Sequence, residues 1–300
     1  MITIRRILCP TDFSEFASRA LAHALPLAKW YEATIAALHV YNFISPPPTK
    51  LPTIAVRPHL STEIKEEILR ELRDFTEPAR TAGLLVEHLV VEGDPVDEIV
   101  KAAGRADLLV LGTHGRRGFE KLMLGSVAER VLRKSPCPVL TVPRRAPESP
   151  PDGSPAFKTI VCTVDFSEES QRALEFALSL AKEADSGLSL LHVVEALPEI
   201  GPPDRSCFDL MAYGELVRRI ARDRLRALIP EGARQWCRPE AIVASGKAYR
   251  CILKVAEERR ADLIVMGVTG RGRIDRMLFG STTAQVVREA TCPVLTIRAV

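Results

Sequence analysis

Along this chain, short runs that are apolar on both faces alternate with longer stretches whose apolar residues return every three or four positions. ILCPTDF (7–13), TIAALHVY (34–41), LLVEHLVV (84–91), DLLVLGT (107–113) and PVLTV (138–142) are rich in Val, Ile and Leu and predict strands. SEFASRALAHALPLAKW (14–30), TEIKEEILRELRDFTEPA (62–79), VDEIVKAAGR (96–105) and SVAERVLRK (126–134) have helical periodicity. Pro26 interrupts the first of these and predicts a kink or an early end, since it lacks an N–H and crowds the preceding turn. Doubly apolar strands alternating with helices predict a parallel sheet covered on both sides, an α/β doubly wound domain.

The same order returns in the second half. CPTDFSEFASRAL (9–21) matches CTVDFSEESQRAL (162–174), and AALHV (36–40) matches SLLHV (189–193), both at an offset of 153 residues. ADLLVLGTHG (106–115) matches ADLIVMGVTG (261–270), and SPCPVLTV (135–142) matches ATCPVLTI (290–297), at an offset of 155. A two-residue insertion near Glu257–Arg260 accounts for the change. The chain is a duplication: a first domain over 1–143, a Pro-rich polar linker, RRAPESPPDGSPA, over 144–156, and a second domain over 157–300. After its second strand each half carries a poorly patterned insert, NFISPPPTKLPTIAVRPHLS (42–61) or ALPEIGPPDRSCFDLMAYG (196–214). Their prolines oppose long regular elements and predict surface loops or lids.

Composition narrows the class. Two domains of about 150 residues are each large enough for a core without disulfides or metals. With 41 basic and 38 acidic residues the net charge is +3, so no global field favours nucleic acid or membrane, and neither is expected as a partner. Met1–Pro10 has no long apolar stretch and no run approaches 18 apolar residues, so neither a signal peptide nor a membrane span is expected, and the expected location is cytoplasmic. Seven cysteines include no C-x-x-C; Cys9 and Cys162 fall on strands, and Cys137 and Cys292 precede prolines at the start of others. Reduced, buried thiols are expected, rather than a disulfide framework or a zinc site.

Candidate chemistry lies in GTHGRRGFEKLMLGS (112–126) and GVTGRGRIDRMLFGS (267–281), which share the form G-x-x-G-x9-G-S. At average composition this spacing arises about once in 20,000 positions. Open α/β sheets bind ligands at the carboxyl ends of their strands, and Gly112 directly follows DLLVL. Gly112 and Gly115 make a tight turn whose missing side chains let a ligand approach the backbone. Gly125 and Ser126 open the helix SVAERVLRK, and Ser126 with Glu129 has capping-box spacing, as does Thr282 with Gln285. A helix start suits an anionic phosphate. Arg116, Arg117 and Lys121, and in the second half Arg271, Arg273 and Arg276, add charge nearby. The bland alternative is that the glycines only shape a tight strand–loop–helix connection.

This pattern after the fourth strand resembles the ATP-binding signature of the universal stress protein family. PTD (10–12) and TVD (163–165), LHV (38–40 and 191–193), PCPVL (136–140) and TCPVL (291–295) extend the resemblance over nearly the whole chain, apart from the linker and the inserts. The resemblance implies two tandem doubly wound, Rossmann-like domains, each a mainly parallel five-stranded sheet of order 3-2-1-4-5 flanked by helices. It implies ATP in the cleft at the carboxyl edge, with any Mg²⁺ carried on its phosphates. Pairing of domains through their fifth strands is implied too, here as an intramolecular pseudo-dimer that admits a further homodimer and a protein partner of unknown identity. Asp12 and Asp165, with Pro10, Thr11, Thr163 and Val164 beside them, take the adenosine end, and Val40 and Val193 the adenine. Gly112, Gly115, Gly125 and Ser126, and Gly267, Gly270, Gly280 and Ser281, take ribose and phosphates. Thr113, His114, Arg116 and Val127 join them in the first half, and Val268, Arg271 and Thr282 in the second.

The chemistry agrees with those roles, since a carboxylate accepts from an amine or hydroxyl and an apolar chain covers a flat base. Bland readings stand beside them. Asp12 and Asp165, each followed by FSE, also suit caps of the following turn or helix; Val40 and Val193 suit plain core, and His39 and His192 read as satisfied core residues. No HExxH, Cys/His cluster or Gly-x-Ser-x-Gly occurs, and no catalytic residue or protein-held metal is expected. PTDFSE and TVDFSE lack the glycines of an adenylyl transferase or a dehydrogenase at that place, and no G-K-S/T marks a P-loop. The function implied is an ATP-binding, nucleotide-dependent sensor or regulator in a stress response, with little or no hydrolysis. A slow ATP-hydrolysing enzyme and a ligand-free scaffold are the alternatives. Asp94 in GDPVDE stands opposite Lys247 in GKAYRC, and His114 opposite Thr269, so unequal affinities in the two halves are expected.

Overall fold

A computed structural model of the 300-residue chain describes residues 2–42, 61–113, 124–147, 157–195, 210–268 and 280–298. The chain divides into two compact units, Thr3–Arg144 and a second made mainly of Arg145–Val300. The first contains β1 (Arg6–Pro10), α1 (Glu15–Trp30), β2 (Thr34–Tyr41), α2 (Thr62–Phe75), α3 (Glu77–Thr81), β3 (Val86–Glu92), α4 (Pro95–Ala103), β4 (Leu108–Gly112), α5 (Ser126–Lys134) and β5 (Val139–Val142). Its strands pair in parallel in the order β3-β2-β1-β4-β5, with Ile7 opposite Ile35 and Leu108, and Leu109 opposite Val139. Ile7, Leu8, Leu109, Val110 and Leu140 are sealed from solvent, as a sheet covered on both faces requires. The chain steps from β1 to β3 in one direction and to β4 and β5 in the other. Right-handed crossovers therefore put α1 and α2 on one face, and α4 and α5 on the opposite one.

The second unit repeats the plan with β6 (Thr159–Thr163), α6 (Glu168–Ala184), β7 (Gly187–Val194), α7 (Leu210–Ala227), β8 (Arg238–Ser245), α8 (Ala248–Glu258), β9 (Leu263–Gly267), α9 (Ser281–Glu289) and β10 (Val294–Ile297). Its parallel order is β8-β7-β6-β9-β10, and a 3₁₀ turn over Glu231–Gln235 follows α7 where α3 follows α2. Helix α8 has 11 residues against 9 in α4, so the two-residue insertion is absorbed in this helix.

Several local expectations change. Pro26 does not end α1, which runs on to Trp30. Burial of Ala20, Leu21, Ala24, Leu27 and Ala28 along that helix outweighs the roughly 3 kcal/mol that an internal proline costs. The stretch 62–79 is two helices: α2 ends at Phe75, Thr76 lies between, and Pro78 falls in the first turn of α3, where a missing N–H costs nothing. The first strand stops at Pro10, because Asp12 and Phe13 enter a turn. Residues 210–214, the end of the second insert, are already helical in α7. Residues 43–60, 196–209 and 148–156, the rest of the inserts and linker, lie outside the described residues. No helix among the described residues is long and apolar enough to cross a membrane.

Candidate functional site

β1 lies between β2, its successor in the chain, and β4, which returns from the far edge, so strand order reverses between β1 and β4. β6 lies between β7 and β9 in the same way. Connections leaving such neighbours diverge to opposite faces and open a crevice at the carboxyl edge, where open α/β sheets take their ligands. In each half one turn after β1 or β6 and one after β4 or β9 border that crevice.

The first turn is tightly braced. Thr11 N–H donates to the Leu38 carbonyl at 2.8 Å, and Thr11 Oγ1 accepts from Phe13 N–H at 2.9 Å. Asp12 Oδ1 accepts from Ser14 N–H at 3.1 Å, and Asp165 Oδ1 from Ser167 N–H at 3.0 Å. The carboxylates close the turn, while the helix caps are Ser14 and Ser167, whose hydroxyls accept from Ala17 and Ser170. Between aspartate and serine, Phe13 and Phe166 take φ of 59° and 66°, a left-handed conformation costing a non-glycine residue about 1–2 kcal/mol. Their rings lie against His39 and His192, with centroids 4.6 and 4.7 Å apart. The Nδ1 atoms of these histidines reach the carbonyls of Thr11 and Val164 at 2.9 and 2.6 Å. A carbonyl only accepts, so Nδ1 donates, and both histidines support the turn. The phenylalanines were missed in the sequence, where the repeated DFSE was their one signal. Val40 and Val193, half-buried, come one residue later on β2 and β7 and pair with Val91 and Ala244. Pro10 and Thr163 are the last residues of β1 and β6.

Glycines order the second turn. A Cβ on Gly112 would lie 2.9 Å from the Phe16 carbonyl oxygen, and one on Gly267 would lie 2.9 Å from Glu169 Cβ. At both places the described neighbour that needs the room is the first turn of α1 or α6. Thr113 N–H donates to Val142 and Gly125 N–H to Thr113, the latter at 2.7 Å; Val268 and Gly280 repeat this with Ile297 and Val268, at 2.9 and 3.0 Å. These bonds tie the starts of α5 and α9 to the strand ends. The caps are Gly125 and Gly280, without a side-chain cap bond. The boxes expected from Ser126 with Glu129 and from Thr282 with Gln285 do not form. Ser126 and Ser281 already lie inside the helix, and Glu129 pairs with Arg133 at 2.9 Å. A glycine cap brings no side-chain acceptor to the first-turn N–H groups, the arrangement that suits an anion. Val127, partly exposed, and Thr282 follow in the first turns. Thr283 donates to the carbonyls of Gly267 and Val268 at 3.1 Å, an anchor its counterpart Ala128 cannot supply. His114, Gly115, Arg116, Gly270 and Arg271 lie outside the described residues, as do Arg117, Lys121, Thr269, Arg273 and Arg276.

Beyond β3, Asp94 Oδ1 accepts from the N–H groups of Val96 and Asp97 at 2.9 and 3.2 Å and so caps α4. Lys247, at the same place on α8, provides no side-chain cap. The strand cysteines are chemically quiet: burial pushes the Cys9 and Cys292 thiols up to about 12 and raises Cys162 as well. Among the described residues, no group of three or more His, Cys, Asp or Glu could hold a metal ion.

Comparison with known proteins gives a consistent picture. The model of the universal stress protein family matches this chain twice, over residues 3–143 and 156–298. A universal stress protein of Methanocaldococcus jannaschii is 37% identical over 140 residues, covering 46% of this chain and 81% of that protein. One from Synechocystis is 26% identical over 319 residues, covering 98% of this chain and 100% of the other. The crystal structure of a universal stress protein from Archaeoglobus fulgidus superposes with a TM-score of 0.69 at 27% identity, covering 98% of each chain.

Proposed function

This chain belongs to the universal stress protein family, and from that premise we propose that each half binds one adenine nucleotide, ATP foremost, at the crevice where its strand order reverses. The observation that carries this reading is the glycine-capped start of α5 and α9, tied to the end of β4 or β9 at that same reversal. The donor set fits the ligand. First-turn backbone N–H groups such as those of Ser126 and Ser281 suit phosphates, the carboxylates of Asp12 and Asp165 suit a hydroxyl or amine, and the half-buried Val40 and Val193 suit a flat base. The nucleotide supplies the phosphates and any Mg²⁺ they carry; the chain supplies the seat.

The role is that of a sensor or regulator in a stress response, with little or no hydrolysis. One ligand would bridge the turn after the first strand, the end of the second and the start of the helix after the fourth. Binding free energy would then stabilise the whole carboxyl edge, a signal that needs no turnover. The cysteines found free and buried suit a reducing compartment, and we place the protein in the cytoplasm. The test is calorimetric titration of ATP into nucleotide-stripped protein, with phosphate release followed in the same sample. Two ATP per chain with unequal affinities and negligible release are expected. Rapid release would make the protein an enzyme. No heat, with no nucleotide in the protein as isolated, would reject the reading.

A further inference from the structure

Up to residue 256 the second half runs at an offset of 153 residues from the first, so the described residues around the two crevices can be compared position by position. On α7, Arg224 sets its guanidinium over the ring of Phe166, 4.1 Å from the centroid, at the turn that carries Asp165. Its counterpart on α2 is Glu71, and there the ring of Phe13 meets the edge of Phe75 instead, with centroids 6.2 Å apart. Lys247 stands before α8 where Asp94 stands before α4. At both places an acid of the first half is a base in the second.

A third inversion, Asp97 against Arg250, has a different meaning. Asp97 bridges to Lys134 at 3.2 Å. The counterpart of Lys134 is Glu289, and Arg250 is held in its charged form first by the Tyr249 hydroxyl and then by Glu289. Both members of that pair change sign together, so the local field is unaltered. Arg224 is compensated only in part, by the change of Arg70 to Asp223: the net charge is −2 over 62–75 and +3 over 215–228, and Lys247 in place of Asp94 adds to the difference.

Arg224 lies on the β6–β7 side of the crevice, at the turn that carries Asp165, and Lys247 opens α8 just past the carboxyl end of β8. In the function proposed above, on which this inference rests, α9 seats the phosphate chain and the β6–β7 side takes the adenosine. We propose that the second half selects an adenine nucleotide carrying a further phosphate on its ribose, of the adenosine 3′,5′-bisphosphate class, and that the first half excludes it. The guanidinium of Arg224, already steadied by the Phe166 ring, matches phosphate in shape and charge, and Lys247 adds a mobile cation on the other side of the sheet edge. Glu71 and Asp94 would repel the same group.

The test compares ADP with adenosine 3′,5′-bisphosphate, which carry equal numbers of phosphates, by calorimetric titration of the full chain. Two ADP and one bisphosphate per chain are expected. Arg224→Glu with Lys247→Asp should weaken the bisphosphate by about tenfold or more. Glu71→Arg with Asp94→Asn, which removes charge but keeps a capping acceptor on α4, should raise the bisphosphate count to two. A gained site cannot come from misfolding. Equal bisphosphate binding by both halves, or none while two ADP bind, would overturn the proposal and leave the nucleotide reading standing. Failure of both ligands would overturn that reading too.

Discussion

One hydrogen atom on Gly112 is all that separates the end of β4 from the first turn of α1. Gly112→Ala would press a methyl group to 2.9 Å from the Phe16 carbonyl, and we expect a loss of about 1–3 kcal/mol in chemical denaturation. A wild-type midpoint would show that the helix yields freely and that the glycine serves only a ligand. His88 offers a second test at this scale. Its Nε2 lies 2.8 Å from Thr76 Oγ1, and burial, followed by the nearby Arg73 and Arg80 cations, lowers its pKa below the ordinary 6.5. The unfolded chain therefore takes up this proton first as pH falls. The stability contributed by neutral His88 is complete above pH 6.5 and is lost as pH drops through the folded-state pKa. His88→Gln should flatten that part of the stability profile, and an unchanged slope would assign it to another group.

Two pairs of helix starts are alike in the halves, Ser14 with Ser167 and Gly125 with Gly280, but the starts of α4 and α8 differ. Asp94→Ala should cost about 1 kcal/mol by removing the cap of α4, whereas Lys247→Asp should stabilise α8 by a similar amount, both read from urea midpoints. Equal effects of alanine at the two positions would show that Asp94 does not act as a cap. Strand and helix order was legible because a sheet buried on both faces imposes long apolar runs, and β2, β4 and β5 stand where those runs predict them. Phe13 was not legible as a turn residue: it extends the apolar run ILCPTDF, yet its φ is positive and its ring packs on His39. Capping-box spacing at Ser126 misled by a single residue, since spacing alone does not say whether Gly125 or Ser126 stands outside the helix. The early end that Pro26 offered does not occur, because local propensity weighs less than a buried helix face. Asp12 and the glycines were legible through the repeat, while Arg224 emerged only once α7 was laid against the turn at Phe166.

At the scale of the whole chain, a ligand that binds only the folded form must raise its thermal stability. ATP at about 100 times its Kd should add about 2.7 kcal/mol per occupied site and lift the Tm by about 5–10 °C. A Tm that stays flat with rising ATP would count against nucleotide binding. The extra two residues of α8 also bear on how far the halves are interchangeable. Hybrid chains that graft a segment of one half onto the other must join at a spacing of 153 residues before this helix and 155 after it. A joint misplaced by two residues would still put each side chain of β9 on its proper face, because a strand alternates with a period of two. Hydrophobic burial alone would not betray the error. Gly267, however, would slide about 6.6 Å along the sheet, and a residue with a side chain would meet Glu169 where not even a Cβ fits. The glycine, more than the core, would then hold a transplanted strand in register.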